Sequence, residues 1–389
     1  MRDRLVPGEN VAEIKKSDWL LIGCSWLLVQ MIILYWLGIN DGEESTKYID
    51  LANKWTSGVR HFNWYNLFYS GYTGMHVLLR IAGFPPKGMY VVQLLLSALA
   101  QYYFVQILRL FIRSRIAIVA SGILYAFCFI IQQWVDALFT DSAFSSLLII
   151  ATYFLLAEEK GLGKKIVFWT LLIILPSIRP VGFLFIILAC FYWLLLSTRK
   201  NTGKLVICLV YLYLIAVVMN KSLAQSPGYF YPLHNIQANV ICGYPGNLLQ
   251  YQKVPYQEGM SIFSYLMHNP GMSVRLFFSR FLKIFIMSRA YFSPMHNLLI
   301  TISTIVYYIL AITGMLRIFF RKEREKYFLF AGILLFSIPS VVFCVDWSGR
   351  FSLPVLCFVL LLSAMGIDRI LEFIRISNSS TPAPRGGPQ

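Results

Sequence analysis

Charge is what this chain has least of. Only 13% of its 389 residues are Asp, Glu, Lys or Arg, about half the roughly 25% of an ordinary soluble domain. The hydrophobic set makes up 58% and the mean hydropathy is +0.64. A water-soluble core cannot absorb that much apolar surface, so lipid must solvate most of it. The apolar–polar alternation of a membrane barrel is missing. That leaves helices as the spans, because each satisfies its backbone hydrogen bonds internally.

Other absences narrow the reading further. Cys24, Cys128, Cys190, Cys208, Cys344 and Cys357 sit within apolar runs, Cys242 is alone in a long loop, and no CxxC occurs. Neither a disulfide framework nor a structural zinc is expected. No basic run of the nucleic-acid type accompanies the net charge of +16; Lys and Arg collect in short loops, as the positive-inside rule requires, and nucleic acid is excluded as a partner. The first apolar run, 19–39, has full span length and passes into Asn40-Asp41-Gly42-Glu43 without a small-residue cleavage pattern. It reads as an uncleaved first span.

What is present is a series of apolar runs, near 19–39, 89–110, 116–131, 142–157, 166–177, 181–196, 205–219, 298–320, 327–345 and 351–367. Crossing about 30 Å of hydrocarbon takes ~20 helical residues. A further run, 67–83, is ambiguous, and the basic loops decide it. Lys15 and Lys16, then Arg109, Arg113 and Arg115, Lys160, Lys164 and Lys165, Arg199, Lys200 and Lys204, the 317–326 cluster, and Arg369 with Arg375 all face the cytoplasm only if 67–83 does not cross. It carries Gly71, Gly74, His76 and Arg80, and a charge at the bilayer centre costs about 3 kcal/mol, so it is read as interfacial. The fold class expected is all-α, a polytopic membrane helical bundle of about ten spans with both termini cytoplasmic. Residues 1–370 form one domain with long outer loops at 40–88 and 220–297, and 371–389 are a disordered cytoplasmic tail. Within the second loop, Arg275, Arg280, Lys283 and Arg289 project over half of a helix with Phe, Leu and Ile on the rest. That is the pattern of a helix in the interface, where Arg280 and Lys283 either anchor it or hold an anionic headgroup.

The residues able to carry chemistry gather on the outer side. Asp41, Glu43 and Glu44 follow the first span and run into an amphipathic helix; 61–72 is then rich in Trp, Tyr and Phe, as membrane anchors or as faces for a sugar. Asp136 and Asp141 bracket an outer turn, and a cap by Thr140 or Asp141 on the next helix accounts for one of them. Arg179 sits in the tight connection Ser177-Ile178-Arg179-Pro180. An outer turn needs no positive topology signal, so Arg179 wants an anion: Asp136, Asp141, or a phosphate whose oxygens match the guanidinium fork. Arg350 lies in a second tight turn, Asp346-Trp347-Ser348-Gly349-Arg350, either paired locally with Asp346 or binding phosphate. A carboxylate to deprotonate an acceptor hydroxyl and arginines to stabilise a leaving phosphate suit group transfer from a lipid phosphate.

Those residues resemble, in order, the GT-C class of integral membrane glycosyltransferases, within it the dolichyl-phosphate-mannose–protein mannosyltransferase-like superfamily. The stations are Asp41 with Tyr48, Leu51 and Ala52; Tyr69-Ser70-Gly71-Tyr72; Thr140-Asp141-Ser142-Ala143-Phe144; Arg179-Pro180-Val181-Gly182; and Arg350-Phe351-Ser352-Leu353-Pro354. The resemblance covers about 40–367. It implies an inverting transferase that moves a sugar from a polyprenyl-phosphate donor to an extracytoplasmic glycan, lipid or protein acceptor. Asp41 would be the base, Arg179 and Arg350 would hold the donor phosphate, and Asp141 would sit near the active cavity. Where some members have Asp-Glu, this chain has Asp41-Gly42-Glu43-Glu44, so Asp41 shares its role with Glu43 or Glu44 or cedes it to one of them. Outer acids could hold a divalent cation, although a monophosphate donor does not demand one. The rival readings are a flippase or transporter of lipid-linked glycans and a polysaccharide polymerase or ligase using a diphosphate-linked oligosaccharide. The absence of charges at span centres and of a clear internal repeat counts against transport. The compartment expected is the bacterial inner membrane, with the active face outside.

Overall fold

The apolar runs fold as helices because nothing in hydrocarbon competes for their backbone N–H and C=O groups. A computed structural model describes residues 13–59, 63–157, 161–196, 202–225, 240–241, 247–248, 262–289, 292–343 and 349–379. In chain order the helices are α1 (Lys16–Leu37), α2 (Glu43–Thr56), α3 (Trp64–Leu67), α4 (Ser70–Ile81), α5 (Met89–Phe111), α6 (Arg115–Ala126), α7 (Phe129–Gln132), α8 (Thr140–Ala157), α9 (Leu162–Ile178), α10 (Phe183–Leu196) and α11 (Thr202–Gln225). After a two-residue antiparallel pair, β1 (Val240–Ile241) with β2 (Asn247–Leu248), come α12 (Ile262–His268), α13 (Pro270–Ile284), α14 (Pro294–Arg321), α15 (Phe328–Phe343) and α16 (Leu353–Ser379).

Among the described residues seven helices, built on α1, α5, α8, α11, α14, α15 and α16, are long and apolar enough to cross a membrane. α6, α9 and α10 are shorter, at 12, 17 and 14 residues. The 12 residues of α4 reach about 18 Å at 1.5 Å per residue, well short of hydrocarbon thickness. Over their most apolar stretch α8 and α16 are 89% buried, whereas α1 is 22% and α11 is 11% buried. α8 and α16 are therefore the axis of the bundle, and α1 and α11 its lipid-solvated rim, with Tyr35, Leu209 and Tyr213 turned outward.

Two expectations need correction. The run 116–131 is not one helix: α6 ends at Ala126 and α7 restarts at Phe129. The side chain of Gln132 donates to the Tyr125 carbonyl at 3.1 Å, which satisfies a group the break sets free. The tail expected from 371 onward is helical as far as Ser379, held by Glu372, which takes Arg321 at 2.6 Å and Arg369 at 3.2 Å. On α13 exposure is mixed: Val274, Arg275, Phe278 and Leu282 are exposed, whereas Met272, Leu276, Arg280 and Ile284 are buried, so its charged and apolar residues do not divide between an outer and an inner face.

Ion pairs tie the basic ends of the helices together. Arg115 grips Asp18 bidentately at 2.6 and 2.7 Å, joining α6 to α1. Arg317 reaches Asp368 at 2.5 Å, joining α14 to α16. The opposite, loop-rich end carries the candidate site.

Candidate functional site

The first strut of the site is the junction of two loops. After α1 the chain pairs Asn40 with the backbone around Ala137: the Asn40 N–H donates to the Asp136 carbonyl and the Leu138 N–H to that of Asn40, both at 2.9 Å. Gln93 of α5 fixes this loop from beneath, donating to the carbonyls of Val135 and Ala137 at 2.9 and 2.7 Å and accepting from the Tyr72 hydroxyl at 2.8 Å. The chain then turns at Gly42 into α2, placing Glu44 in its first turn, and 139 passes into α8, placing Asp141 in its first turn.

Two arginines arrive from the other side. Proline at 180 forces the preceding residue into extended backbone, and Arg179 has φ −148° and ψ 142° as the last cap of α9. A Cβ at Gly182 would collide with the Leu175 carbonyl, and one at Gly71 with the Ser177 side chain. The glycines of the Arg-Pro-Val-Gly and Tyr-Ser-Gly-Tyr stations thus let the Arg179 turn fold back on α9 and let α4 press against it. Arg350 begins a short turn that feeds α16, with Pro354 in the first helical turn, where its missing N–H is harmless.

These four side chains meet. Arg350 bonds Asp141 from Nε at 2.8 Å and from Nη2 at 2.5 Å, and Arg179 bonds the other oxygen of Asp141. Arg350 also forks onto Glu44, through Nη1 to Oε2 and through Nη2 to Oε1 at 2.9 Å. The Tyr48 hydroxyl donates to Glu44 at 2.9 Å. Phe351 lies 5.1 Å from the Arg179 guanidinium, and Phe139 and Trp134 lie 5.1 and 5.5 Å from that of Arg350. The side chain of Asp141 is 0% exposed, those of Arg179 and Arg350 7% and 8%, and that of Glu44 25%, so Glu44 is the member nearest the outside. Beside Arg179 an apolar crevice is lined by Val181, Phe336, Pro339, Phe351 and Pro354.

The remaining sequence candidates land elsewhere. Asp41 is exposed and pairs with Lys87 at 3.5 Å. The side chain of Glu43 and the residue Asp346 lie outside the described residues. Arg280 is buried and caps the end of α15, donating to the carbonyls of Val341 and Val342 at 2.9 and 3.1 Å. Lys283 is half-buried one turn further along α13. The helix cap expected of Thr140 or Asp141 is not made by either side chain: Thr140 Oγ1 lacks a partner among the described residues, and the oxygens of Asp141 go to the arginines. A cavity of about 420 Å³ beside Asp18, Arg115 and Ile123 lies at the basic end, away from this cluster.

Asp136 does not join the ion cluster. It is buried, and neither carboxylate oxygen has a hydrogen-bond partner among the described residues. Burial pushes its carboxyl up to about 7. Between its ordinary value near 4 and 7 the folded chain then keeps a proton that the unfolded chain has released. Stability is full below that window, falls as pH rises through it, and is level again above it. Asp136→Asn should therefore raise the melting temperature measured at pH 8 and leave that at pH 4 unchanged. A variant equally stabilised at both values would remove the buried charge as the cause.

Two features escape the sequence motifs. Lys47 points into a cage of Tyr69, Tyr65 and Tyr48, at 4.1, 4.5 and 5.5 Å from the ring centres, and burial there lowers its ammonium to about 8. His76 is buried against Tyr72, its Nε2 is without a partner among the described residues, and burial takes it down to about 4. The signal for the first was available: Glu44, Lys47 and Tyr48 share one face of α2 by the i, i+3, i+4 rule.

Both acids of the cluster, buried Asp141 and quarter-exposed Glu44, are already paired with guanidinium groups, and among the described residues no group of three or more His, Cys, Asp or Glu side chains could hold a metal ion. In comparisons with known proteins the chain matches no family model, no curated protein and no solved structure. The resemblance stated above therefore rests on the motifs themselves.

Proposed function

We propose that this chain is a GT-C-type membrane glycosyltransferase that transfers a sugar, with inversion, from a polyprenyl-phosphate donor to an extracytoplasmic acceptor. The observation that carries the reading is the convergence of Glu44, Asp141, Arg179 and Arg350, from four separate helix ends and turns, at one end of an apolar bundle. Such a cluster is a poor stability device. Withdrawing each ion from water costs several kcal/mol, and apolar side chains of the same volume often serve a fold as well or better. Ionisable groups kept in a membrane protein at that cost mark function by default.

In this reading α1, α5, α6 with α7, α8, α9, α10, α11, α14, α15 and α16 are ten spans. α2, α4 and α13 lie in the outer interface, and both termini are cytoplasmic. The membrane is the bacterial inner membrane and the cluster faces outward. The acceptor hydroxyl attacks the sugar's anomeric carbon as the bond from that carbon to the phosphate oxygen breaks. The hydroxyl proton passes to a carboxylate of the first outer loop, and the lipid phosphate leaves as an anion between Arg179 and Arg350. Asp41 suits the base because its side chain is half exposed and its partner Lys87 is exposed as well, whereas Glu44 is engaged by Arg350.

Sugar transfer in reconstituted membranes tests the base. Asp41→Asn is expected to lose about 10²–10⁴-fold in turnover, the usual worth of a positioned base. Unchanged turnover would remove Asp41 from the reaction. Native mass spectrometry tests the donor: a polyprenyl-monophosphate sugar that is lost from an Arg179→Ala, Arg350→Ala variant is the expected result, and a diphosphate-linked oligosaccharide in its place would favour a polymerase or ligase.

A further inference from the structure

We propose that Glu44 is a stand-in for the donor's phosphate, holding the anion position on Arg350 and leaving it when a lipid phosphodiester arrives. The inference rests on the reading of the cluster as a donor phosphate site. The two acids of the cluster are not equivalent. Asp141 is fully buried and shared by both arginines; Glu44 is a quarter exposed, touches only one, and sits in the first turn of a helix that begins just after a glycine. The contact it makes is fork to fork, Nη1 to Oε2 and Nη2 to Oε1. The two non-bridging oxygens of a phosphodiester reproduce that geometry.

Charge balance points the same way. Arg179 and Arg350 are cancelled by Asp141 and Glu44. A phosphodiester carries one negative charge, the same as a carboxylate, so the exchange leaves the cluster neutral. A diphosphate diester carries two and would leave an uncompensated charge in a low-dielectric setting, which disfavours it. Arg350 keeps its orientation during the exchange, because Nε and Nη2 remain on Asp141 at 2.8 and 2.5 Å. The Tyr48 hydroxyl, which donates to Glu44 at 2.9 Å, is released to donate to the incoming phosphate. A site whose arginine is already paired is open for only a fraction of the time, and its apparent affinity is reduced by that fraction.

The test is binding of the methyl ester of farnesyl phosphate, a singly charged phosphodiester, to the full-length protein in detergent. Glu44→Gln and Glu44→Asp, the second keeping the charge but too short to span the fork, are each expected to bind about tenfold more tightly than the wild type, while Arg350→Ala loses binding. Glu44→Asp also covers the case in which Glu44→Gln does not fold. If neither Glu44 variant binds more tightly while Arg350→Ala still loses the ester, the stand-in is overturned and the phosphate site survives. If Arg179→Ala and Arg350→Ala bind the ester as the wild type does, the phosphate site itself falls and the stand-in with it.

Discussion

Asp141→Leu is expected to be the most destabilising single change at the loop-rich end, by about 3–5 kcal/mol, the range for removing one partner of a buried ion pair. Two guanidiniums converge on this one carboxylate. After its loss Arg350 keeps Glu44, but Arg179 has no other anion among the described residues and is left against the Phe351 ring. A face of an aromatic ring is worth about 0.5–2 kcal/mol to a cation, too little to hold a buried charge. The fold should therefore open locally where α9, α8 and α16 meet, and thermal unfolding in detergent should show a large fall in midpoint. The companion experiment separates structure from function. Asp141→Leu combined with Arg179→Met removes both charges, and the pair should regain most of the lost stability, since apolar replacements of buried ion pairs are often neutral or better, without regaining phosphodiester binding. A double variant as unstable as the single one would mean that the cluster is a structural tie.

Much of this end of the molecule could be read from the sequence, for identifiable reasons. Arg179 stands in a turn with no space and no topological need for a positive charge, so it wanted an anionic partner; Asp141 was one of those expected, and Arg179 bonds it directly, whereas the Arg350 contacts with Asp141 and Glu44 replace the expected alternatives of Asp346 or a phosphate. The choice among the first-loop acids was harder, because it depends on where α2 begins. Asp41 precedes the helix, whereas Glu44, Tyr48, Leu51 and Ala52 fall on its inner face, with Tyr48 0%, Ala52 3% and Leu51 6% exposed. Helical phase, counted from Gly42, thus turns Glu44 inward and leaves Asp41 to Lys87. The partners of Arg280 on α13 were out of reach for a different reason. Arg280 satisfies backbone carbonyls at the end of α15, a long-range need that no local pattern announces.

The second large effect lies away from the site, where α14 and α16 run side by side in the same direction. In lipid there is no hydrophobic drive to press helices together, so close packing and interhelical hydrogen bonds must do it, and small residues let backbones approach. Here a Cβ at Gly366 would overlap the Leu310 carbonyl oxygen, and one at Gly314 that of Leu362. Each clash is with backbone, which cannot rotate away as a side chain can. Ser363 adds a hydrogen bond across the seam, donating to the Tyr307 carbonyl at 2.8 Å, and the Arg317–Asp368 pair closes the far end. Gly366→Ala should therefore cost about 3 kcal/mol or more, the upper part of the overpacking range, and Gly366→Leu should prevent the two helices from docking. The control is Gly23 in α1, around which no atom lies within 4 Å of an added Cβ. Gly23→Ala should stabilise by about 0.5–1 kcal/mol through helix propensity alone. Because α16 carries Arg350 at its loop-rich end, Gly366→Ala should lower the folded fraction while the molecules that remain folded bind phosphodiester as before. Equal unfolding midpoints for the Gly366 and Gly23 variants would show that the seam tolerates separation and that the axis of the bundle is held by other contacts of α16.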